Sequence, residues 1–279
     1  MRLVRNIVLI LLAAAGLFVA IGWRNARADP VVRRLSLALP DWPAGAKPVT
    51  IALAGDIHME SAAMDAARLL RIAGQIDALK PDLIVLAGDF IDGRNPGEPA
   101  RVAPLLEPGL RALKAPLGVV AVLGNHDYWT DGPEVQRILQ RTGIVVLRNQ
   151  AVAAGPLALA GVDDSVTGHA HVPVAFAGLA ALPGARIAVV HSPGMAAIVA
   201  RTGQTSLLLA AHTHCGQVVL PWLGPVQEVV ERRHLCGVIR DGALTTIVTA
   251  GLGTSEVPLR YGAPPDIWLI TVGPTQQDD

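Results

Sequence analysis

Short apolar runs, separated by polar or helical stretches, are the most regular feature of the chain. Their length and their content of Val, Ile, Leu and Ala are typical of buried β-strands. Nine such runs occur, at residues 49–54, 83–87, 119–123, 144–147, 157–160, 187–190, 206–210, 244–249 and 267–272. This alternation predicts an α/β fold with more strands than helices.

A helix is predicted between the first two runs. Apolar residues recur there three and four positions apart, at Leu69, Ile72, Ile76 and Leu79. This spacing gives one apolar helical stripe, and Pro81 ends it. Two further helix starts are predicted where a capping residue precedes a proline, at Asp131 before Pro133 and at Ser192 before Pro193.

The N-terminus has a different pattern. Residues 7–23 carry no charge, with Arg2 and Arg5 before them and Arg24 and Arg27 after them. As a helix this run would be about 26 Å long at about 1.5 Å per residue, which is enough to cross the hydrocarbon core of a bilayer. We therefore expect a transmembrane anchor.

Other interpretations of residues 1–28 stay open. The sequence Ala26-Arg27-Ala28 has the small-x-small pattern of a signal peptide cleavage site, although the apolar run exceeds the usual core of about 7 to 15 residues. A buried structural helix is less favoured, because no neighbouring element precedes it to cover it. We expect one span in the inner (cytoplasmic) membrane with the catalytic part outside the cytoplasm, although arginines at both ends specify the orientation weakly.

Composition bounds the remaining organisation. Prolines mark residues 29–48 as an extended connector, residues 49–273 have the length and apolar content of one catalytic domain, and residues 274–279 are expected to be an unstructured tail. The 23 basic and 23 acidic residues cancel, so a long nucleic acid is not an expected partner.

Cys215 and Cys236 are too few for a disulfide scaffold; they form one disulfide if the domain is exported or remain two buried thiols. The sequence specifies no oligomeric state.

Polar blocks follow five of the strand-like runs. They are Asp56-Ile57-His58, Gly88-Asp89, Gly124-Asn125-His126-Asp127, His191, and His212-Thr213-His214. A sheet delivers such blocks to one edge, and residues two apart in an extended segment point to the same face. Carboxylate, imidazole and amide ligands without thiolate suit manganese, iron or zinc. The simplest interpretation is a site for two metal ions, in which the Asp89 carboxylate can bridge the cations and the Asp127 carboxylate can fix the tautomer of His126.

The same residue types also have ordinary structural roles. A single histidine at a strand end is usually structural, and only the ordered occurrence of five blocks favours a metal site. Outside the blocks, we expect His169, His171 and His234 to be non-ligands. Likewise, Asp92, Asp163 and Asp164 are expected in turns, and Arg94 and Arg260 on the surface rather than on a phosphate.

Together the blocks resemble the signature of the calcineurin-like metallophosphoesterases, over about four fifths of the chain from residue 49 onward. The segments Cys215-Gly216-Gln217, 251–255 and 260–265 resemble the bacterial YaeI/YkuE-type phosphodiesterase branch, whose members often have an N-terminal hydrophobic anchor. The implied fold is a layered α/β/β/α sandwich with mixed sheets.

The resemblance also implies roles for individual residues. It implies two metal ions, one bound by Asp56, His58 and His214 and the other by Asn125, His191 and His212, with Asp89 bridging them. His126 would act beside the leaving group, and Asp127 would orient it. Ala211 and Cys215 replace glycines that are frequent in the family, but neither change removes a ligand.

The implied activity is hydrolysis of a phosphodiester or pyrophosphate bond by a hydroxide held between the metals. The substrate would be a phosphorylated small molecule or a lipid-linked compound. UDP-2,3-diacylglucosamine hydrolysis in lipid A synthesis is one alternative, although it needs a cytoplasmic site and its familiar enzyme has Arg at the position of His126. A soluble periplasmic nucleotide phosphatase and a non-catalytic membrane-bound interaction protein with structural metals are the others.

Overall fold

The computed structural model describes residues 1–93, 95 and 97–275. Its elements, in chain order, are α1 (Arg2–Ala26), β1 (Val31–Ala38), β2 (Val49–Ala54), α2 (Ala66–Ala78), β3 (Leu83–Ala87), α3 (Glu98–Ala112), β4 (Val119–Val122), α4 (Asn125–Tyr128), α5 (Gly132–Arg141), β5 (Val145–Val146), β6 (Gln150–Ala154), β7 (Leu157–Gly161), α6 (Val172–Ala180), β8 (Ala185–Val189), α7 (Ala196–Thr202), β9 (Leu207–Ala210), β10 (Val219–Leu220), β11 (Gly224–Pro225), β12 (Gly237–Asp241), β13 (Leu244–Val248) and β14 (Asp266–Gly273).

Two six-stranded mixed sheets form the centre of the molecule. The first has the strand order β1-β14-β2-β3-β4-β5, and the second has the order β12-β13-β9-β8-β7-β6. Strands β2 to β5 run parallel, as do β7, β8, β9 and β13. Strands β10 and β11 form a separate antiparallel hairpin.

The two sheets pack face to face between helices. In β2, Ala52 and Ala54 belong to the core that includes residues of α2, α3 and α5, whereas Ile51 and Leu53 belong to the core shared with the second sheet. The other face of the second sheet packs against α6 and α7. Because side chains alternate between the faces of a strand, fully apolar strands fill two cores at once. The predicted α/β/β/α sandwich with mixed sheets is confirmed.

All nine predicted runs contain strands, but the residues expected to form a connector hold another one. Strand β1 pairs in parallel with β14 over its whole length, from Val31 with Asp266 to Ala38 with Gly273. The chain after α1 therefore forms the edge strand of the first sheet. Of the predicted tail, only residues 274 and 275 are among those described.

Most of the large apolar side chains of helix α1 are exposed on the surface of the molecule. It is long and apolar enough to cross a membrane, with a mean hydropathy of 2.4 in its most apolar window. Leu9, Ile10 and Leu12 are more than half exposed, which fits a helix whose surface faces hydrocarbon.

The two cysteines, whose pairing the sequence left open, form a disulfide. The Cα atoms of Cys215 and Cys236 are 4.7 Å apart, within the range for a disulfide bridge. The bond closes a loop that begins directly after His214.

Candidate metal centre

The five polar blocks meet at the carboxyl ends of β2, β3, β4, β8 and β9. Several of their residues have a left-handed backbone, with φ of 48° at Asp56, 47° at His58, 56° at Asp89 and 72° at His212. Such φ values are uncommon for residues other than glycine and cluster at functional sites. Here this backbone conformation turns the side chains of the blocks toward the space between the edges of the two sheets.

The first cluster consists of Asp56, His58 and His214. Their candidate ligand atoms lie within 4.8 Å of one another, and the Nε2 atoms of the two histidines are 3.0 Å apart. Burial lowers the pKa of His58 to about 3 and holds that of His214 well below its usual range. Both imidazoles are therefore neutral, and a cation between their nitrogens would be bound by lone pairs. For Asp56, burial raises the pKa to about 7, which a bound cation would reverse.

The second cluster consists of Asp89, His191 and His212, again with ligand atoms within 4.8 Å of one another. The Nε2 atom of His191 lies 3.1 Å from Asn125 Oδ1 and 3.1 Å from His212 Nδ1. Its other nitrogen, Nδ1, donates a hydrogen bond of 2.7 Å to the carbonyl of Ala87. Such a bond fixes the tautomer that leaves Nε2 able to bind a metal.

Asp89 lies between the two clusters. Its Oδ2 atom is 3.5 Å from His58 Nε2 and 3.2 Å from His191 Nε2. Although burial acts to raise the pKa of Asp89, the neighbouring histidines, His191 first, hold it well below the usual range. Burial likewise acts to lower the pKa of His191, but Asp89 and Asp56 raise it to about 10.

These residues fit two cations that share one carboxylate. The seven predicted ligands all lie in this one region, with the Asn125 amide oxygen beside the second cluster. Six of them are buried, and His212 is partly buried. Buried nitrogen and oxygen donors without a thiolate match manganese, iron or zinc and do not distinguish among them. The identity of the metal, which the sequence did not specify, therefore stays open among these three.

His126 lies at the rim of the two clusters. Its side chain is nearly buried, its ring contacts the rings of His58 and Trp129, and its backbone N–H donates to Asp89 Oδ1 at 2.9 Å. The ring Nδ1 donates to the backbone carbonyl of Asp92. The other nitrogen, Nε2, is on the side of Ser255 and the pocket that the clusters line.

The contacts of Asp127 differ from those expected. We predicted that its carboxylate would orient the His126 ring, but the Asp92 carbonyl holds that ring. The Asp127 carboxylate accepts hydrogen bonds from three backbone N–H groups, those of Asp89, Phe90 and Gly124. It thereby ties the end of β3 to the turn after β4.

Gly124 is needed in that turn because the backbone comes very close to the metal ligands. A Cβ atom at this position would lie 2.2 Å from Asp89 Oδ1 and 2.8 Å from His191 Cε1. No side chain fits there without moving a ligand.

Arg260 was expected on the surface but is completely buried. Its guanidinium donates to the carbonyls of Ala250, Gly253 and Ala263, and its Nη2 lies 3.2 Å from His214 Nδ1. Burial lowers its pKa to about 10, so it remains charged at neutral pH. The sequence pattern missed this role because its contacts are backbone groups, which carry no sequence signal. Arg94 lies outside the described residues.

The remaining polar residues have structural contacts. Asp163 accepts a hydrogen bond from the Tyr128 hydroxyl and pairs with Arg148, while His234 lies 2.9 Å from Asp241. His169 stacks on Tyr128 at 3.9 Å between ring centroids. None of the three predicted non-ligand histidines belongs to the metal-binding groups found among the described residues.

Comparison with known proteins gives one consistent family. Residues 49–216 match the family model described as calcineurin-like phosphoesterase. The chain is 33% identical to an uncharacterized metallophosphoesterase, YkuE, of Bacillus subtilis, over 72% of this chain and 71% of that protein. It is 32% identical to the phosphodiesterase YaeI of Escherichia coli, over 68% and 70%. A zebrafish transmembrane protein with a metallophosphoesterase domain is 30% identical over 96% of this chain and 63% of that protein.

Proposed function

The chain belongs to the calcineurin-like metallophosphoesterases, and from that premise we propose that it is a membrane-anchored phosphodiesterase or pyrophosphatase with two metal ions. Its substrate would be a phosphorylated small molecule or a lipid-linked compound. The observation that carries this proposal is the position of the Asp89 carboxylate, which lies within 3.5 Å of His58 in one cluster and 3.2 Å of His191 in the other. A purely structural site needs one closed ligand set, whereas two adjacent cations are the usual arrangement for attack on phosphorus.

The proposed ligands are Asp56, His58 and His214 for one cation and Asn125, His191 and His212 for the other, with Asp89 shared. When bound, the cations would act as Lewis acids toward a phosphoryl oxygen and lower the pKa of water. The protein would supply imidazoles that burial keeps neutral at His58, His212 and His214. At His191 the Ala87 carbonyl holds Nδ1–H, so that Nε2 would bind the metal once its proton is released.

His126 is the proposed proton donor to the leaving group. Because Nδ1 donates to the Asp92 carbonyl, the protonated ring has its second N–H at Nε2, on the pocket side. Trp129 packs against the ring at 4.3 Å between centroids and restricts its rotation. Asp127 is proposed to position the backbone around Asp89 and not to contact the ring.

Two features support attachment to a membrane with the site outside the cytoplasm. Helix α1 has the length and hydropathy of a membrane span, and the Cys215–Cys236 disulfide fits an oxidising compartment. A disulfide beside His214 argues against the lipid A alternative, which requires a site that faces the cytoplasm.

The test combines metal content with hydrolysis of two esters by the full chain in detergent. Purified protein should contain about two metal ions and cleave bis(p-nitrophenyl) phosphate faster than p-nitrophenyl phosphate. His126→Ala should keep the metals and lose about 10²–10⁴-fold in kcat, because only proton transfer is removed. His171→Ala, a histidine exposed at the start of α6, is the matched control and should match wild type.

Each result separates the proposal from its rivals. Metal without hydrolysis of either ester, with manganese, iron and zinc each tested, would favour the non-catalytic interaction protein. Equal loss of metal and turnover in His126→Ala would mean that His126 is a ligand and not the proton donor.

A further inference from the structure

The C-terminal end of α1 is fixed to the catalytic domain through one loop. The backbone N–H of Arg260 donates to the carbonyl of Gly22 at 3.0 Å, and the Asn25 side chain donates to the carbonyl of Arg260 at 3.2 Å. The rings of Phe18 and Tyr261 stack with centroids 4.3 Å apart, and the Tyr261 hydroxyl donates to the Phe18 carbonyl. These contacts join the last two turns of the helix to residues 259–261.

This docking sets the depth of the loop relative to a bilayer. Phe18 lies inside the uncharged run 7–23, five residues before its end, or about 8 Å along the helix. In a bilayer that contains the run, the Tyr261 ring therefore lies within about 8 Å of the boundary between hydrocarbon and headgroups, on the hydrocarbon side. Tyrosine, which is apolar at one end and polar at the other, is suited to that boundary.

The base of the β10–β11 hairpin is bound to the same loop. Tyr261 donates its N–H to the Gln217 carbonyl at 3.0 Å and accepts from the Val219 N–H at 2.8 Å. The base of the hairpin is thus hydrogen-bonded to the loop that holds the C-terminal end of α1.

The tip of this hairpin is the most exposed apolar part of the molecule outside α1. Trp222 is fully exposed, Leu223 is 78% exposed and Val226 is 68% exposed. Residues 217–227 contain no charged side chain. Large apolar side chains that neither pack nor carry charge indicate a binding surface.

We propose that the tip, residues 221–226, inserts into the surface of the same bilayer that α1 crosses. The bilayer is the occupant favoured by the direct connection to Tyr261, by the absence of charged residues from 217–227 and by the preference of tryptophan for the membrane interface. The Arg232 guanidinium, which lies beside Gly224 and pairs with Glu228, would face the headgroups. The proposal rests on the membrane attachment of α1 but does not require phosphoester hydrolysis.

Insertion of the tip would give the protein a second contact with the bilayer, besides α1, and would also orient the pocket. Beyond the tip, Gln227 and Val229 line the pocket above the metal clusters, and Gln217 lines it at the base of the hairpin. With the tip in the headgroup layer, this wall of the pocket lies against the membrane. A phosphodiester group at the bilayer surface is then the class of substrate that reaches the site by the shortest path.

The test measures lipid contact of individual tryptophans in the full chain. The protein is reconstituted into phosphatidylcholine–phosphatidylglycerol vesicles with or without bromine on the acyl chains, which quenches tryptophan only on contact. The emission of Trp222 is the difference between wild type and Trp222→Phe. We expect this difference to be blue-shifted and to lose most of its intensity in brominated vesicles.

Two further tryptophans serve as controls. Trp23, at the end of α1, should be quenched. Trp42 follows β1, a strand about 26 Å long that separates it from α1 along the chain, and should not be quenched. Trp222→Phe should hydrolyse bis(p-nitrophenyl) phosphate like wild type, because Trp222 does not line the pocket.

The outcomes are distinct. If Trp222 is unaffected by bromine, the proposal is overturned, whether the residue is open to aqueous iodide or shielded by a protein partner. An unquenched Trp23 overturns it as well, since α1 would then lie outside the bilayer. Quenched Trp222 in a protein that cleaves no ester would leave this proposal standing and reject the proposed function.

Discussion

At the residue scale, the site depends on buried polar groups whose charge is set by their neighbours. His58, His212 and His214 have pKa values lowered by burial, to about 3 in the case of His58 and His212. Asp89, although equally buried, keeps its negative charge because the histidines surround it. An ionised carboxylate beside three neutral imidazoles, with His191 able to give up its proton to a bound metal, is an arrangement that attracts cations.

Asp127 gives a prediction that separates a positioning role from a catalytic one. Asp127→Asn leaves one oxygen and one amide group facing three backbone N–H donors, so at least one donor loses its partner. We expect the free energy of unfolding to fall by about 1–3 kcal/mol and metal content to fall with it. Urea unfolding and metal analysis of the full chain in detergent would measure both.

His126→Ala is the matched comparison for that variant. It should lower kcat with a smaller change in the free energy of unfolding, because its ring is hydrogen-bonded to the Asp92 carbonyl and, at 3.5 Å, to the Ser255 hydroxyl, whereas Asp127 holds three backbone N–H groups. If Asp127→Asn loses turnover while stability and metal content stay unchanged, the predicted contact with His126 was correct in solution and the positioning role is wrong.

More of the candidate site than of its surroundings could be predicted from the sequence. Ligands such as Asp56 and Asp89 follow continuous apolar strands and stand in recognisable blocks, so local pattern finds them. Arg260 and the Asp92 carbonyl act through backbone groups of distant segments, as in the bond from Arg260 to Ala250. No local pattern records such contacts.

At the scale of elements, the same distinction holds. The buried strands were predicted because they are apolar on both faces, whereas β1 contains Arg33 and Arg34 and is flanked by prolines. It forms a strand because its partner β14, more than 200 residues away, offers a free edge. Helix α3 was not predicted, since Pro104 and Pro108 interrupt its helical pattern.

The junction between α1 and the domain gives a prediction about Gly22. A Cβ atom there would lie 2.6 Å from the Tyr261 ring, so Gly22→Leu should separate the helix from the loop. Trypsin should then cleave after Arg24 and Arg27 several-fold faster in detergent. Electrophoresis of timed samples measures this rate. Gly16→Leu is the control, because a Cβ atom at Gly16 would meet nothing within 4 Å.

Equal cleavage of both variants would mean that the helix is not docked in solution. Faster cleavage of Gly22→Leu alone supports the depth assigned to Tyr261, on which the proposed contact of the hairpin tip depends.

The disulfide gives a second prediction at this scale. The bond joins residues 21 positions apart, and closing such a loop stabilises the folded chain by about 3 kcal/mol. The double variant Cys215→Ser/Cys236→Ser should lose about that much free energy of unfolding, measured by urea denaturation. Reductant should lower the stability of wild type toward that of the variant and leave the variant unchanged. Two free thiols in unreduced, unfolded wild type would contradict the bond.

At the scale of the whole molecule, the distribution of charge does not determine the orientation. The net charge is zero, and two arginines flank each side of the apolar run. Arg33 and Arg34 also follow the run within about 15 residues, so the positive-inside rule, counted by arginines alone, does not favour the side proposed for the domain. The disulfide is the observation that supports the proposed extracytoplasmic side, because such a bond fits an oxidising compartment.

Cleavage after Ala28 would remove contacts that the folded chain uses. Arg27 pairs with Asp65 at 2.7 Å, Arg68 donates to the Ala28 carbonyl at 2.9 Å, and Gly22 accepts from the Arg260 backbone. The packing of residues 18–28 against the domain thus favours an uncleaved anchor over a signal peptide.

These two features together predict where the protein is found in a bacterial cell that expresses it. The intact chain, including residue 1, should remain in membranes washed with alkaline carbonate, because a helix of this hydropathy is held by the bilayer and not by charge. Proteinase K added to spheroplasts should digest the domain while a cytoplasmic marker protein survives. A soluble periplasmic protein that begins at Asp29 would establish the signal peptide instead. A domain protected in spheroplasts, with both cysteines free, would place the site in the cytoplasm and restore the lipid A alternative.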